Sequence, residues 1–375
     1  MKNKHHQVAQ LVEAAYLSSE QPFAKWMWSH HLQFVAQKAQ ELSERFGADE
    51  ELVVSGALLH DFGDVFVRRH DATHSQVSET EAIKVLQQVG FSQSQIEQII
   101  KQVIAPHSCY PDHLPKTLEG QVLATADALA HLLTDFYLHF AWLNLPDDST
   151  YPQFVLWANQ KMDRDFHDKI FFEIVREEVK EKYLALKKVF AIDSVAEAIF
   201  MPYINKCRAG DWQHAKRVVV WVKQLGQSHR DLELLIIAAY LHDIGWSGVV
   251  PTDVKLTREE LLKFQPQADR QTDSLVKQAV LQFNLDQKDI DKILRLIKAT
   301  ETYEAKASDE EILVDADNLS KTDPDHVREK YLKSDWLKMC DTFEEKLPQR
   351  IKTEIGKELF PKKLKELRLK LQEEL

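Results

Sequence analysis

The sequence predicts an all-α chain of two tandem helical domains related by internal duplication, residues 1–192 and 193–375. Three observations carry that expectation. The 375 residues include only 10 Gly and 12 Pro, and Glu, Lys, Gln, Leu and Ala fill long stretches with few alternating β-branched runs. That is the composition of a helical chain. An ordered set of histidines and aspartates occurs twice. Finally, "WANQKMDRDFHDKI" (Trp157 to Ile170) is echoed by "WLKMCDTFEEKL" (Trp336 to Leu347), so that Lys161, Met162, Phe166 and Lys169 fall on Lys338, Met339, Phe343 and Lys346 at one constant offset. The repeat is too long for a solenoid unit. Two lobes are expected instead, each ending in a charged helix, "REEVKEKYLALKK" and "PKKLKELRLKLQEEL".

The N-terminal "MKNKHHQVAQLVEAAYL" lacks a long apolar core and reads as an amphipathic helix, not a signal peptide. From His31, the positions Phe34, Val35, Ala39 and Leu42 follow at helical spacing, which puts His31 on an inward stripe. Gly47 is the expected stop of that helix and Asp49 the N-cap of the next. That next helix contains Leu52, Val53 and Ala57 and ends at His60-Asp61. In the second lobe His214 stands in the same relation to Val218, Trp221, Val222 and Leu225. Ser228 and Asp231 form a candidate capping box before "LELLIIAAYLHD". Both His-Asp pairs fall late on apolar helices, next to Gly63 and Gly245, where the chain must turn. Residues 144–152 and 247–253 read as loops.

Bulk properties exclude several classes. A net charge of −11 argues against a general nucleic-acid binder, whose phosphate contacts need a basic surface. Cys109, Cys207 and Cys340 are widely spaced and odd in number, so neither a disulfide framework nor a cysteine metal site is expected. No uncharged run approaches membrane-spanning length. A reduced, cytoplasmic protein is the expectation.

The repeated set carries the chemistry. The first copy is His31, His60-Asp61 and Asp127; the second is His214, His242-Asp243 and Asp317. Burying an aspartate among Leu and Ala is costly unless a cation or a proton compensates it. A divalent ion does so, and imidazole nitrogen with carboxylate oxygen suits Mn, Fe, Zn, Ni or Mg. The first lobe adds His107, on the apolar face set by Ile96, Ile100, Val103 and Ile104, and His74, shortly after the His-Asp pair. Either can ligate a second metal, position water or act as a general acid. Asp61, His74 and His107 are therefore the candidate catalytic groups. Arg68, Arg69 and Lys116 are candidate phosphate contacts, since arginine forks match phosphate oxygens. Lys255, Arg258 and Lys263 are weaker candidates in the second lobe. There, alignment puts Glu301 where His107 stands, and no histidine occupies the place of His74.

These residues resemble the HD-domain superfamily of metal-dependent phosphohydrolases. "ALLHDFGD" and "AYLHDIGW" look like its hallmark, and "APHSCYPDHLPKTLEGQVLATADAL" and "EEILVDADNL" are similar to its final aspartate segment. The resemblance covers roughly residues 25–135 and 208–325. It implies an all-helical fold, with His31, His60, Asp61 and Asp127 as one metal set and His214, His242, Asp243 and Asp317 as another. It further implies hydrolysis of a small phosphate ester or nucleotide by metal-activated water. The superfamily's cyclic-dinucleotide branch has a lysine three residues after the HD aspartate; Asp64 and Trp246 stand there instead, and the HDxxED signature of the alarmone hydrolases is absent. Dinuclear members add two histidines, for which His74 and His107 are available, and some di-iron relatives are oxygenases. A non-catalytic regulatory ligand binder is the remaining alternative, above all for the second lobe.

Overall fold

The computed structural model describes residues 3–141, 145, 146, 149–227 and 229–375, without the side chains of 258 and 259. Among these the chain is all helix and turn, with one isolated bridge between Tyr110 and His113. It divides into two compact units, residues 1–149 with 157–190, and residues 150–156 with 191–375. The segment 150–156 packs with the second unit, although the expected division at residue 192 assigned it to the first.

The first unit begins with α1 (Lys4–Ser18), whose His5, Val8, Val12 and Tyr16 are buried at helical spacing. A short turn leads into a π-helical segment, Met27–Leu32, which continues as α2 (Gln33–Phe46). Gly47 ends α2 at φ 80°, a conformation that favours glycine. Asp49 then caps α3 (Glu50–Leu59) by accepting from Leu52 N at 3.2 Å. Helices α4 (His74–Val89), α5 (Gln93–Gln98), α6 (Leu118–Leu133), α7 (Tyr151–Arg164, of which residues 157–164 belong to this unit) and α8 (Glu173–Val189) follow. Residues Leu52 to Leu59 of α3 are all buried, because α1, α2, α6 and the π-helical Ile99–Ile104 surround it. Two further π-helical segments, Phe136–Phe140 and Asp165–Lys169, flank α7. A π-turn shifts the side-chain register by a residue and is often found at functional sites. Here the four of them carry His31, the approach to His107, the Phe136 wall, and Asp165 with Lys169.

Gly63 does not adopt positive φ. It is small because α4 crosses it: a Cβ there would lie 2.5 Å from Ser78 Oγ and 2.7 Å from the His74 carbonyl oxygen. We expect Gly63→Ala to destabilise the protein by about 1–3 kcal/mol through overpacking, read as a lower melting temperature. An unchanged melting temperature would show that α4 yields at no cost.

The second unit runs α9 (Ile192–Ile204), α10 (Asp211–Leu225), α11 (Leu232–Leu241), α12 (Arg258–Ala279), α13 (Gln287–Thr302), α14 (Ser308–Ser320), α15 (Pro324–Lys330), α16 (Trp336–Lys346) and α17 (Glu354–Glu373). Residues Leu234 to Leu241 of α11 are buried, packed by α9, α10, α13 and α14. Gly245 is crowded as Gly63 is, with the Ala268 carbonyl oxygen 2.7 Å from where a Cβ would sit. Of the capping box expected before α11, only Asp231 is among the described residues. Ser228 lies outside the described residues, and the Asp231 side chain makes no cap; its carboxylate pairs with Lys292. The echoed tail residues share packing but not surroundings. Phe166 and Phe343 are both buried, whereas Lys169 is buried and its counterpart Lys346 only half-buried.

Candidate metal centre

In the first unit α3 ends at His60, whose Nδ1 donates to the Ala57 carbonyl at 2.8 Å. Its Nε2 therefore presents a lone pair on the opposite side of the ring. There it lies 3.3 Å from Asp61 Oδ2 and 3.6 Å from Asp127 Oδ1. His31, delivered from the π-turn before α2, puts Nε2 3.3 Å from Asp127 Oδ1 and 3.7 Å from Asp61 Oδ2. His31 Nε2, His60 Nε2 and Asp127 Oδ1 are buried without a hydrogen-bond partner. Buried acceptors facing one another at these distances repel unless a cation lies between them. Ligand atoms about 2.1 Å from a common ion stand roughly 3–3.4 Å apart, so the spacing fits a divalent ion.

The electrostatics agree. Burial opposes a charged His60, yet the Asp61 and Asp127 carboxylates outweigh it and raise the imidazole to about 10. That site is calling for positive charge, whether from a proton or a metal. Burial lowers His31, and lowers His107 to about 4, which leaves neutral imidazoles with free lone pairs. Burial would raise both carboxyls, but Arg69 and His60 hold Asp61, and His131 and Lys169 hold Asp127, well below the usual range.

The other expected residues divide. His107 joins His60 and Asp127 in a metal-compatible group; its Nδ1 donates to Ile104 O at 2.6 Å, and Ser108 Oγ lies 3.3 Å from its Nε2. His74 belongs to no such group among the described residues, because its Nε2 is held 2.8 Å from Asp64 Oδ1. It supports Asp64, which accepts from Arg69 at 2.5 Å while Arg69 also grips Asp61. Arg69 thus lines the cleft with its charge already engaged. Arg68 and Lys116 are exposed and do not line the cleft, so the expected basic rim is corrected at both. The loop after the His-Asp pair turns Arg68 outward next to Arg69, and Lys116 sits in the exposed turn before α6.

The cleft at this centre has a volume of about 710 Å³. Its cations come largely from residues the sequence reading did not single out for chemistry: Lys161, Arg164 and Lys169. Lys169, 2% exposed, binds Asp127 Oδ2. Two other residues were missed. His131 lies 3.3 Å from Asp127 Oδ1, and Asp165 lies 3.0 Å from His131 Nδ1. His131 was legible as the residue one helical turn beyond Asp127. Nothing in the local sequence marks Asp165.

The second unit brings its four expected residues together. His242 Nδ1 donates to Ala239 O at 2.8 Å, which leaves Nε2 3.2 Å from His214 Nε2 and 3.5 Å from Asp243 Oδ2. Asp317 Oδ1 lies 3.2 Å from His214 Nε2 and 3.9 Å from His242 Nε2. Arg208 pairs with Asp243, and Lys321 with Asp317 Oδ2 at 2.6 Å. Glu301 is exposed and paired with Lys298 at 2.8 Å, so it does not take the place of His107 in the cluster. Lys255 lines this unit's cleft of about 450 Å³, but its ammonium is held by the Arg328 and Tyr331 carbonyls. Lys263 is exposed and does not line the cleft, and the Arg258 side chain lies outside the described residues. His326, missed in sequence, packs against His214 with ring centroids 4.8 Å apart.

No described helix is long and apolar enough to cross a membrane. No curated protein and no solved structure matches the chain. Residues 28–132 match the family model of the HD domain, a span that holds His31, His60, Asp61, His107 and Asp127 and stops short of the second unit. Over those residues the chain is similar to the HD domain, a match that supports membership of that segment in the HD superfamily.

Proposed function

We propose that the first unit is a metal-dependent phosphohydrolase of a small phosphate ester or nucleotide. The observation that carries this reading is the convergence of three unpartnered buried atoms, His31 Nε2, His60 Nε2 and Asp127 Oδ1, of which His60 and Asp127 line a cleft that also holds cations. A divalent ion held by His31, His60, Asp61 and Asp127 supplies an acidified water and a polarised phosphoryl oxygen. The protein's own groups do the rest. Lys161 and Arg164 offer positive charge to an anion in an acidic protein whose overall field repels it. His107, neutral at pH 7 with Nε2 toward the cleft, accepts a proton from water. The expected result is chelator-sensitive, Mn²⁺-restored release of phosphate or pyrophosphate from a panel of small esters and nucleotides, with no cleavage of polymeric nucleic acid. Iron-dependent oxygen consumption without phosphate release would move the assignment to an oxygenase. That reading needs His74 as a ligand, and the His74 contact with Asp64 counts against it.

We further propose that the second unit is a duplicated HD-type domain that binds metal with less activity or in a regulatory role. Supporting this, each His-Asp histidine donates to a carbonyl three residues back, each HD aspartate is held by an arginine, and each final aspartate by a lysine. Gly63 and Gly245 are each crowded by a backbone carbonyl and by a hydroxyl four residues later, His74 and Ser78 in one case, Ala268 and Thr272 in the other. Metal analysis of the intact chain should find two ions, one of them lost in His242→Ala; a single ion that His242→Ala leaves in place would remove the second site.

A further inference from the structure

His131 projects from the same face of α6 as Asp127, one turn later. Its Nε2 is 3.3 Å from Asp127 Oδ1, and its ring lies nearly parallel to His31, with centroids 5.2 Å apart and planes 10° apart. Its Nδ1 is 3.0 Å from Asp165 Oδ2. Asp165 is fully buried, accepts from the Tyr137 hydroxyl at 2.5 Å, and faces the Lys161 and Lys169 ammonium groups at 3.3 and 3.8 Å. A carboxylate between two ammonium groups is ionised and acts only as an acceptor. Lys161 Nζ also stands 3.2 Å from His131 Nδ1, but both Asp165 oxygens lie within its reach and take its protons. His131 Nδ1–H therefore donates to Asp165. The Nε2 lone pair then points at Asp127 Oδ1, an acceptor that has no hydrogen-bond partner of its own. Two facing acceptors need a cation between them, and the ligand atoms of His31, Asp127 and His131 all lie within 4.8 Å of one another.

We propose that His131 is an additional nitrogen ligand of the ion at this centre, and that Asp165 is the positioning residue that sets its tautomer. The arrangement is a carboxylate–histidine–metal relay, in which the outer carboxylate fixes ring orientation and raises ligand basicity. It reaches outside the repeated motif. Asp165 comes from the π-turn beyond α7, so the tail following the HD segment takes part in building the site. Ligand number is thereby raised by one in the first unit, and His326 of the second unit is in no equivalent cluster among the described residues.

This inference rests on the metal reading of the centre, and the test separates the two. Crystals of the wild-type chain loaded with Co²⁺ are measured for anomalous scattering. In parallel, Co²⁺ affinity is determined by chelator competition in the His242→Ala background, which removes the second-unit set. The ion is expected within about 2.2 Å of His131 Nε2. His131→Gln should weaken binding at least about 100-fold and lower the imidazole count in X-ray absorption by one. Asp165→Asn should keep that count and weaken binding about 10-fold. An ion seated on His60 and Asp127 with His131 Nε2 beyond about 3 Å overturns the role of His131 alone. No ion at the centre overturns the metal reading and this inference with it. Should either variant misfold, the wild-type diffraction result decides.

Discussion

Asp61→Ala should abolish metal uptake by the first unit and lower turnover by roughly 10³-fold or more, since metal-derived charge stabilisation is worth several kcal/mol. The effect is large because Asp61 serves three partners at once. It lies 3.3 Å from His60 Nε2 and 3.7 Å from His31 Nε2, and it receives Arg69. Its removal takes away a ligand charge and frees Arg69 to draw substrate anions away from the centre. Asp61→Asn keeps the shape and loses the charge, so it should fail in the same way. Asp243→Ala in the second unit should cost less turnover, because among the described residues that unit's cluster has no counterpart of His107. Metal content by mass spectrometry and steady-state hydrolysis measure both effects. Retained metal in Asp61→Ala would sink the assigned ligand set, and equal losses from the two alanine variants would show that the units are equally active.

Lys169→Met should destabilise the metal-free protein by about 3–5 kcal/mol, the usual cost of removing one partner from a buried ion pair. Lys169 is 2% exposed and stands between Asp127 and Asp165, the second of which it shares with Lys161, His131 and Tyr137. Without it, Asp127 is a buried carboxylate whose only compensation is a proton or a metal. Mn²⁺ should therefore recover part of the loss by binding the folded state alone. Urea unfolding followed by tryptophan fluorescence, with and without Mn²⁺, measures this. Lys346→Met is the control: it occupies the equivalent place in the echoed tail but is only half-buried, and should cost under about 1 kcal/mol. A neutral Lys169→Met would mean that Asp127 is already protonated in the free protein.

Helical class, the caps at Gly47 and Asp49, and the inward stripe behind His31 were all legible, because each depends on residues within one or two turns. The grouping of the eight motif residues into two sets was legible too, from an aspartate placed among apolar neighbours twice in the same order. Gly63 and Gly245 do lie where the chain turns, but crowding rather than the turn is what keeps them small. Each is crossed by a later helix, which leaves no room for a Cβ. Arg68, Arg69 and Lys116 could not be told apart in sequence. All three are cations near the motif, and only the fold turned Arg69 inward to Asp61 and left the other two exposed.

By itself the sequence determined which side chains are costly to bury, and so marked His31, His60, Asp61 and Asp127, and His214, His242, Asp243 and Asp317, as the candidates for a shared cation. Periodicity and burial cost are properties of neighbours along the chain, and they survive being read one helix at a time. Only the tertiary structure decided which charges sit at the centre. Lys169 and Asp165 arrive from a tail dozens of residues away, His74 is diverted to Asp64, and His131 is turned toward Asp127 by a carboxylate on another element. These are interactions between helices, and their sign and strength depend on distances of 3–4 Å that no spacing along one helix can encode.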